Sequence, residues 1–160
     1  MDVRPLTGDD WRLKRDLRLT ALQDSPKAFA STYAREVHRT EAEWRDWPRP
    51  GAYFAAFAHR DGAGNVPVGI AGAWVSATDP DTTHLISMWV VPEARGRRVA
   101  GRLVDAVVGW ARDNGGSVVE LEVAAGNDAA MAAYLRCGFT VVDREPYTPG
   151  GTVLQRPVTA

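Results

Sequence analysis

Four arginines and two glycines stand close together in the chain, at Arg95, Arg97, Arg98, Arg102, Gly96 and Gly101. They follow the apolar run Met88–Val91 and flank Val99, where a stretch begins in which apolar residues recur at helical spacing. A helix start offers unpaired backbone N–H groups and the positive end of the helix dipole, and glycine lets a ligand approach that backbone. Residue types and position therefore predict a binding site for phosphate groups.

Two familiar phosphate motifs do not fit this segment. Gly96 and Gly101 have P-loop spacing, but Arg102 and Leu103 stand where that motif has Lys and a Mg²⁺-binding Ser or Thr. The G-x-G-x-x-G spacing of dinucleotide-binding loops is absent as well. We therefore expect a loop that holds phosphates without cleaving them. For a basic run taken alone, an ordinary solvated helix start is the alternative.

The elements on either side would place this loop at the edge of a sheet. A strand over His84–Val91 runs into the loop, and the helix from Val99 closes at Asn114–Gly116 before a second strand, Val118–Val123. A strand, helix, strand unit of this size predicts a right-handed crossover between parallel strands. Both strands then end on the same edge, where α/β folds bind phosphates.

A second group of residues is predicted to face that edge. Asn127, Ala130 and Tyr134 share one face of a helix through Arg136, and helical side chains tilt toward the helix N-terminus. The alternative is that Asn127 is only an N-cap and Tyr134 only a core aromatic. Glu122 is a carboxylate in an otherwise apolar strand, and a solvated edge glutamate is its plain alternative.

The remaining elements complete a mixed α/β layer structure with hairpins at the front and a parallel βαβ unit at its centre. We expect a single domain over residues 1–160. The other predicted elements are a strand at Val3–Leu6, a helix from the Thr7 and Asp10 capping pair to about Asp24, a short helix after Thr40 and Glu43 that carries Trp44 and Trp47, a hairpin of Tyr53–His59 and Val66–Ala77, a polar loop at Asp79–Thr82, and strands at Phe139–Val142 and Thr152–Val158.

Composition narrows the class of protein. A formal net charge of −1 over 160 residues argues against a general nucleic-acid binder. Cys137 is the single cysteine, so an internal disulfide is excluded, and its place in a helical pattern predicts a buried structural thiol in a reducing compartment. The N-terminal residues lack the pattern of a secretory signal, and no stretch approaches the ~18 apolar residues of a membrane span. We expect a cytoplasmic protein without membrane contact; a homodimer stays open.

Two segments then resemble a known family. Residues 91–103, VPEARGRRVAGRL, are similar to the Arg/Gln-x-x-Gly-x-Gly/Ala pyrophosphate loop of the GNAT superfamily of N-acetyltransferases, and residues 127–139 read N-x-x-A-x-x-x-Y-x-x-x-G-F. The order of elements agrees over nearly the whole chain. The resemblance implies the GNAT acyl-CoA N-acyltransferase fold with a mixed, mostly antiparallel sheet. It also implies transfer of an acetyl group from acetyl-CoA to a primary amine by direct attack in a ternary complex, with coenzyme A as product and no metal.

The resemblance also implies roles for particular residues. Backbone groups beside the pantetheine arm and thioester would come from Met88, Trp89 and Val90. Amides for the pyrophosphate would come from Gly96, Arg97, Arg98, Val99, Ala100 and Gly101. Asn127 would contact the cofactor, and Tyr134 would stand near its sulfur as general acid. Glu122 lies in LEVAAGN as the catalytic base does in ribosomal-protein alanine N-acetyltransferases, and His84 is a second candidate base.

One residue departs from the family pattern. Arg98 occupies a position where the loop usually has its second glycine or an equivalent small residue. A side chain that points outward would be tolerated, because the loop works through backbone N–H groups. A positive φ at Arg98 would carry a conformational cost and would argue against a well-formed loop.

The acceptor and two other functions stay open from the sequence. The acceptor site is expected at roughly Ser25–Pro50 and Arg144–Gly151, where four acidic residues could attract a cationic amine, namely Asp24, Glu36, Glu41 and Glu43. The first alternative function is a non-catalytic acyl-CoA sensor or interaction domain of the same fold. The second is a phosphate-binding interaction module unrelated to acyl transfer.

Overall fold

Seven strands form one sheet in the computed structural model, which describes residues 1–159. The strands are β1 Asp2–Pro5, β2 Gly51–Arg60, β3 Gly64–Ser76, β4 Asp79–Val90, β5 Val118–Val123, β6 Thr140–Val141 and β7 Thr152–Pro157. Their order across the sheet is β1-β2-β3-β4-β5-β7-β6, and only the β4–β5 pair is parallel. The predicted mixed, mostly antiparallel sheet with a central βαβ unit is confirmed.

The front of the sheet is a meander of three long strands. β2 and β3 are joined by a short turn in which Gly62 has a φ of 81°, a value that glycine adopts without strain. β3 and β4 are joined by Ala77 and Thr78 alone, and Ser76 pairs with Asp79. The predicted loop at Asp79–Thr82 is therefore wrong: these residues begin β4. Their polarity reflects the exposed end of a tight hairpin rather than a connection.

Three helices lie between β1 and β2, at α1 Trp11–Asp24, α2 Tyr33–Glu36 and α3 Glu41–Asp46. The predicted capping box at the start of α3 is present, since the Thr40 Oγ1 accepts from the Glu43 N–H at 3.2 Å. Trp47 lies just past α3 with an extended backbone, not within the helix as predicted. The reason is Pro48, because the residue before a proline is disfavoured in helical geometry. The four-residue α2 was not predicted.

The two faces of the sheet are covered by different helices. α4, Val99–Asp113, buries its apolar stripe against one face, with the buried side chains Val99, Leu103, Val104, Val107, Val108 and Ala111. α1 packs on the other face, where Leu17 and Ala21 join Tyr53, Ile70 and Trp89 in a second apolar cluster. Alternate residues of β2 serve the two clusters, because side chains alternate across a strand.

α5, Asp128–Arg136, connects β5 to β6 and ends at Gly138, whose φ is 89°. Cys137 is the C-cap residue of α5 and is half-buried, with its thiol free. Burial raises the pKa of this thiol, so it stays in the unreactive neutral form at neutral pH. Among residues 1–159, no helix is both long and apolar enough to span a membrane.

Candidate functional site

A cleft opens where β4 and β5 separate. The two strands pair only from Thr82 with Val118 to His84 with Glu120. Beyond those pairs both strands continue without a shared ladder, and their ends line a cleft of about 1830 Å³. This volume exceeds the ~300–1,000 Å³ of an ordinary small-molecule pocket, so the cleft has room for two ligands side by side.

The separation leaves the outer part of β4 with a partner on one side only. Val90 pairs with Gly69 of β3, and no residue of β5 beyond Glu120 pairs with β4. In a strand bonded on one edge alone, the backbone groups that face the other edge have no ladder partner. A bulge at Ser87, whose φ is 61°, shifts the register in this same segment. Backbone groups around Met88–Val90 are thus available to a ligand in the cleft.

The start of α4 forms the wall next to this strand. Gly96 has a φ of 79° and Arg98, the N-cap residue, a φ of 65°. The first helical N–H with a backbone partner is that of Arg102, which donates to the Arg98 carbonyl at 3.2 Å. The amides of residues 99–101 therefore project from the end of the helix without helical partners. A Cβ built on Gly96 or Gly101 meets no atom within 4 Å, so the space beside the loop is open to a ligand.

Arg98 does adopt the left-handed conformation considered in the sequence analysis. That conformation costs an L-residue about 1–2 kcal/mol. The loop nevertheless leads directly into α4, whose first amides have no helical partners. The Arg98 side chain is exposed, as expected for a loop that binds through its backbone.

The arginines of the loop divide into two pairs. Arg95 donates through Nε to the Val90 carbonyl at 3.0 Å and through Nη2 to Asp24 at 2.9 Å. Arg102 donates to the Met1 carbonyl at 3.1 Å. Arg97 and Arg98 are exposed and make no ion pair within residues 1–159. No carboxylate among residues 1–159 neutralises Arg97, Arg98 or Arg102, whereas Arg95 pairs with Asp24 and anchors the end of β4 to α1.

Asn127 and Tyr134 both line the cleft, on the side of α5. The Asn127 Oδ1 accepts from the Ala130 N–H at 3.2 Å, so this side chain is the N-cap of α5 as well. The Tyr134 ring is half-buried and meets Phe139 edge-on, with 5.8 Å between ring centroids. Burial raises the pKa of the Tyr134 phenol, so its proton is retained at neutral pH.

Glu122 is held by the loop before β7 rather than being solvated at an edge. Its Oε1 accepts hydrogen bonds from the backbone N–H groups of Tyr147 and Thr148, and its Oε2 accepts one from the Thr148 Oγ1 at 2.7 Å. The carboxylate lines the cleft and also shapes the loop there.

His84 and Glu120 form a second polar group at the point where the strands part. The His84 Nδ1 lies 3.6 Å from Glu120, whose side chain is 3% exposed and also accepts from Arg144 and Gln155, each at 2.8 Å. Burial lowers the pKa of His84, so the imidazole is neutral at neutral pH. Sequence reasoning missed Glu120. The available indication was its two-residue spacing from Glu122, which places both carboxylates on one face of β5.

The four acidic residues considered for a cationic amine are all engaged within the protein. Asp24 accepts from Trp89 and Arg95, and Glu36 is paired with Arg18. Glu41 is paired with Arg45, and the Glu43 carboxylate caps α3. Arginines thus compensate the charges of Asp24, Glu36 and Glu41, whereas Glu43 forms no ion pair in the described chain, and attraction of a cationic amine stays a prediction.

The structure brings nearly all of the predicted site residues to this one cleft. Arg97 alone lies outside its lining. The predicted residues on the lining are Met88, Trp89, Val90, Gly96, Arg98, Val99, Ala100, Gly101, Glu122, Asn127 and Tyr134. At the α1–α3 end the cleft is lined by Arg18, Phe29, Glu36, Arg39 and Trp47. Sequence reasoning had placed the acceptor site at Ser25–Pro50 and named Glu36, but it missed Arg18 on α1 and did not single out the other three. Within the described residues, no cluster of three His, Cys, Asp or Glu side chains is arranged to hold a metal.

A sheet whose two parallel strands part beside a helix start has the architecture of the GNAT acyl-CoA N-acyltransferases. The model of the Acetyltransferase (GNAT) family matches residues 19–139, and the chain belongs to that family of acyltransferases. Comparison with curated protein sequences gives no match.

Solved structures agree with this fold over almost the full chain. A GNAT-family acetyltransferase from Streptococcus pneumoniae has a TM-score of 0.74 at 16% identity, with 99% of each chain covered. A ribosomal-protein-alanine N-acetyltransferase from Brucella melitensis has a TM-score of 0.72 at 18% identity, over 98% of this chain and 99% of that one. An aminoglycoside 6'-acetyltransferase type Ii has a TM-score of 0.72 at 16% identity, over 100% of this chain and 99% of that one. At these identities the likeness establishes the fold alone.

Proposed function

We propose that this protein transfers the acetyl group of acetyl-CoA to a primary amine by direct attack in a ternary complex. The observation that carries the proposal is the shared cleft. Amides at the start of α4, unpaired backbone of β4 and the Tyr134 phenol all border the same space. Family membership supports acyl transfer in general. The acetyl donor and the amine acceptor are the parts that we add.

The donor would lie along β4 with its phosphates at the start of α4. Backbone N–H groups of residues 96–101 would hold the pyrophosphate, aided by the exposed charge of Arg97 and Arg98. Asn127 would contact the cofactor from α5. Acetyl-CoA supplies the acetyl group as a reactive thioester. A backbone N–H near Met88–Val90 would donate to the carbonyl oxygen as negative charge develops there, and one such donor is worth about 10²-fold or more in rate.

A proton must leave the attacking amine, because an amine of pKa ~10 is mostly charged at neutral pH. Glu122 and His84 both border the cleft and are the two proposed acceptors. We favour His84, since both oxygens of Glu122 already accept hydrogen bonds from the loop before β7. The neutral imidazole of His84 has a nitrogen to spare, because Glu120 lies against Nδ1.

A proton must also reach the departing thiolate. Tyr134 is the proposed donor, because burial keeps its phenol protonated and its hydroxyl has no hydrogen-bond partner in the described chain. The phenol would give up its proton only as charge appears on the sulfur.

Replacement of Tyr134 by Phe tests this assignment. Tyr134→Phe keeps the ring and removes the acidic proton, so we expect kcat to fall about 10²-fold or more with acetyl-CoA affinity little changed. The measurements are thiol release from acetyl-CoA over an amine library and calorimetric titration of acetyl-CoA. Tyr33→Phe is the matched control, since Tyr33 is exposed and lies outside the cleft.

Three outcomes separate the candidate functions. Full activity of Tyr134→Phe would contradict its role as general acid. Tight binding of acetyl-CoA without thiol release for any amine would favour the non-catalytic acyl-CoA domain. Nucleotides or phosphopeptides that bind as well as coenzyme A would favour the phosphate-binding module.

A further inference from the structure

The end of the cleft nearest α1–α3, here called the acceptor end, is built around a buried arginine. Arg18 on α1 is 6% exposed, and its Nε and Nη2 donate to the two oxygens of Glu36, each at 2.9 Å. Its Nη1 donates to the Ser87 Oγ at 2.7 Å. Arg18 therefore connects the acceptor end directly to the β4 bulge, beside the segment proposed to hold the thioester.

Aromatic rings hold the guanidinium groups of the acceptor end in place. The Arg18 guanidinium lies over the rings of Phe29 and Trp47, at 4.8 Å and 5.1 Å from their centroids. The Arg39 guanidinium lies over Trp44 and Trp47, at 5.2 Å from each centroid. Such stacking fixes the planar groups without neutralising their charge.

The charges at the acceptor end do not cancel. Glu36 is a single carboxylate shared by two guanidinium groups, since the Arg39 Nη1 lies 3.4 Å from the Glu36 Oε1. That Nη1 atom is buried and has no hydrogen-bond partner among residues 1–159. Lys27 and Arg35 line the same end and form no ion pair in the described chain. The other acid there, Glu43, accepts hydrogen bonds from Thr40 at the start of α3, so two carboxylates face four basic side chains.

From this excess of positive charge we infer that the acceptor is an amine carrying an anionic group, a carboxylate or a phosphate, which the acceptor end binds. The inference rests on the proposed function, whose acceptor it specifies. A planar guanidinium forms paired hydrogen bonds with either anion. Because the guanidinium groups of Arg18 and Arg39 are already held in place, binding requires little reorganisation of the protein. With its amine at the β4 bulge, such a molecule would extend past Arg18 toward Arg39.

The same charges disfavour a second class of acceptor. A polycationic amine, such as a polyamine or an aminoglycoside, would place like charges beside Arg18, Arg35 and Arg39. Like-charge contacts across an interface are strongly unfavourable, and Glu36, which would offset them, is already paired with Arg18.

The experiment compares matched amines in the thiol-release assay with acetyl-CoA. Each common amino acid is paired with its carboxamide, phosphoethanolamine is paired with ethanolamine, and spermidine and kanamycin represent polycations. We expect kcat/KM for the preferred anionic amine to exceed that of its neutral partner by at least tenfold. The amine of a carboxamide is less basic than that of its amino acid, so more of it is unprotonated and reactive. Amine reactivity alone therefore favours the carboxamide, and a preference for the amino acid must come from binding of its carboxylate.

Variants of Arg39 locate the effect. Arg39→Gln is expected to lower the ratio of kcat/KM for the anionic amine to that for its neutral partner by tenfold or more. Arg39→Lys is expected to restore part of that ratio. The rate with the neutral partner serves as the internal check on folding. Arg45→Gln is the matched control, since Arg45 lies on α3 outside the cleft.

Failure of the inference is distinct from failure of the proposed function. Turnover of neutral amines or polycations at least as fast as anionic amines would overturn the inference alone. An unchanged preference in Arg39→Gln would also overturn it. No thiol release with any amine would overturn the proposed function and the inference with it. The carboxylate and phosphate pairs show which anion the acceptor end prefers.

Discussion

His84 and Glu122 differ in what their side chains already do. Glu122 holds the loop at Tyr147 and Thr148 through hydrogen bonds to both of its oxygens. His84 packs against Trp74 with the two rings tilted and 5.4 Å between centroids, and its Nδ1 lies 3.6 Å from Glu120. Three accepted hydrogen bonds stabilise the ionised form of Glu122 and make it a weaker base, so the geometry favours the histidine.

Substitution at these two positions should separate their roles. Because burial lowers the pKa of His84, its neutral form persists below the usual value of about 6.5, and kcat should fall only as pH drops through that lowered pKa. His84→Gln is expected to lose about 10²-fold in kcat together with this acidic limb. Glu122→Gln should lose less than tenfold and keep the limb. The measurement is the pH dependence of kcat with saturating substrates.

The opposite pattern would return the role to the carboxylate. If Glu122→Gln lost the acidic limb and His84→Gln kept it, Glu122 would be the base, as the family resemblance implies.

At the scale of elements, the start of α4 combines the loop proposed to bind phosphate with a strained N-cap. Arg98 holds a left-handed conformation in which glycine carries no penalty. The helix behind it is anchored by six buried apolar residues, so the stability of α4 offsets the strain of its first residue.

Arg98→Gly should therefore stabilise the protein. We expect the free energy of unfolding to rise by about 1 kcal/mol, measured by urea denaturation, because the left-handed penalty is removed. Arg97→Gly is the matched control. Arg97 does not have a positive φ, so glycine there should be neutral or destabilising by up to ~1 kcal/mol. Equal destabilisation by both substitutions would contradict the assigned strain.

At the scale of the whole molecule, the Arg18–Glu36 pair joins parts of the chain that are distant in sequence. It connects α1 to α2 and, through Ser87, to the central strand β4. Burial alone would raise the pKa of Glu36, but the Arg18 hydrogen bonds hold that pKa below its ordinary value. The pair thus contributes stability only while Glu36 is ionised.

Removal of the Glu36 charge should destabilise the fold. Glu36→Gln leaves Arg18 buried without its counter-charge, a change that costs roughly 3–5 kcal/mol. Because the unfolded chain binds the proton first, wild-type stability from this pair is present above pH ~4.3 and is lost as pH falls through the lowered pKa. Urea unfolding at pH 7 and pH 4 measures both effects, and the difference from wild type should narrow at the lower pH.

An exposed pair provides the comparison. Glu41→Gln removes the surface partner of Arg45 and should cost no more than about 1 kcal/mol at either pH. A similar small effect of Glu36→Gln would show that the buried pair is not required for the fold.

Local structure could be predicted from the sequence at several places. The loop at residues 95–101 and the helix face with Asn127 and Tyr134 depend on residues within a few positions of one another. The capping residues Thr40 and Glu43 were predicted for the same reason. Helical spacing and caps are set by neighbours along the chain, so they can be read without knowing the fold.

Only the tertiary structure revealed where the cleft opens in the sheet and which charges at its acceptor end are compensated. The cleft exists because β4 and β5 part after His84 and Glu120, a separation that sequence reasoning did not predict. The acceptor end joins Arg18 to Ser87, 69 positions apart, and leaves one carboxylate between two guanidinium groups. The sequence by itself determined which residues could bind a phosphate. Only folding decided which charges cancel, because that depends on distances between residues far apart in the chain.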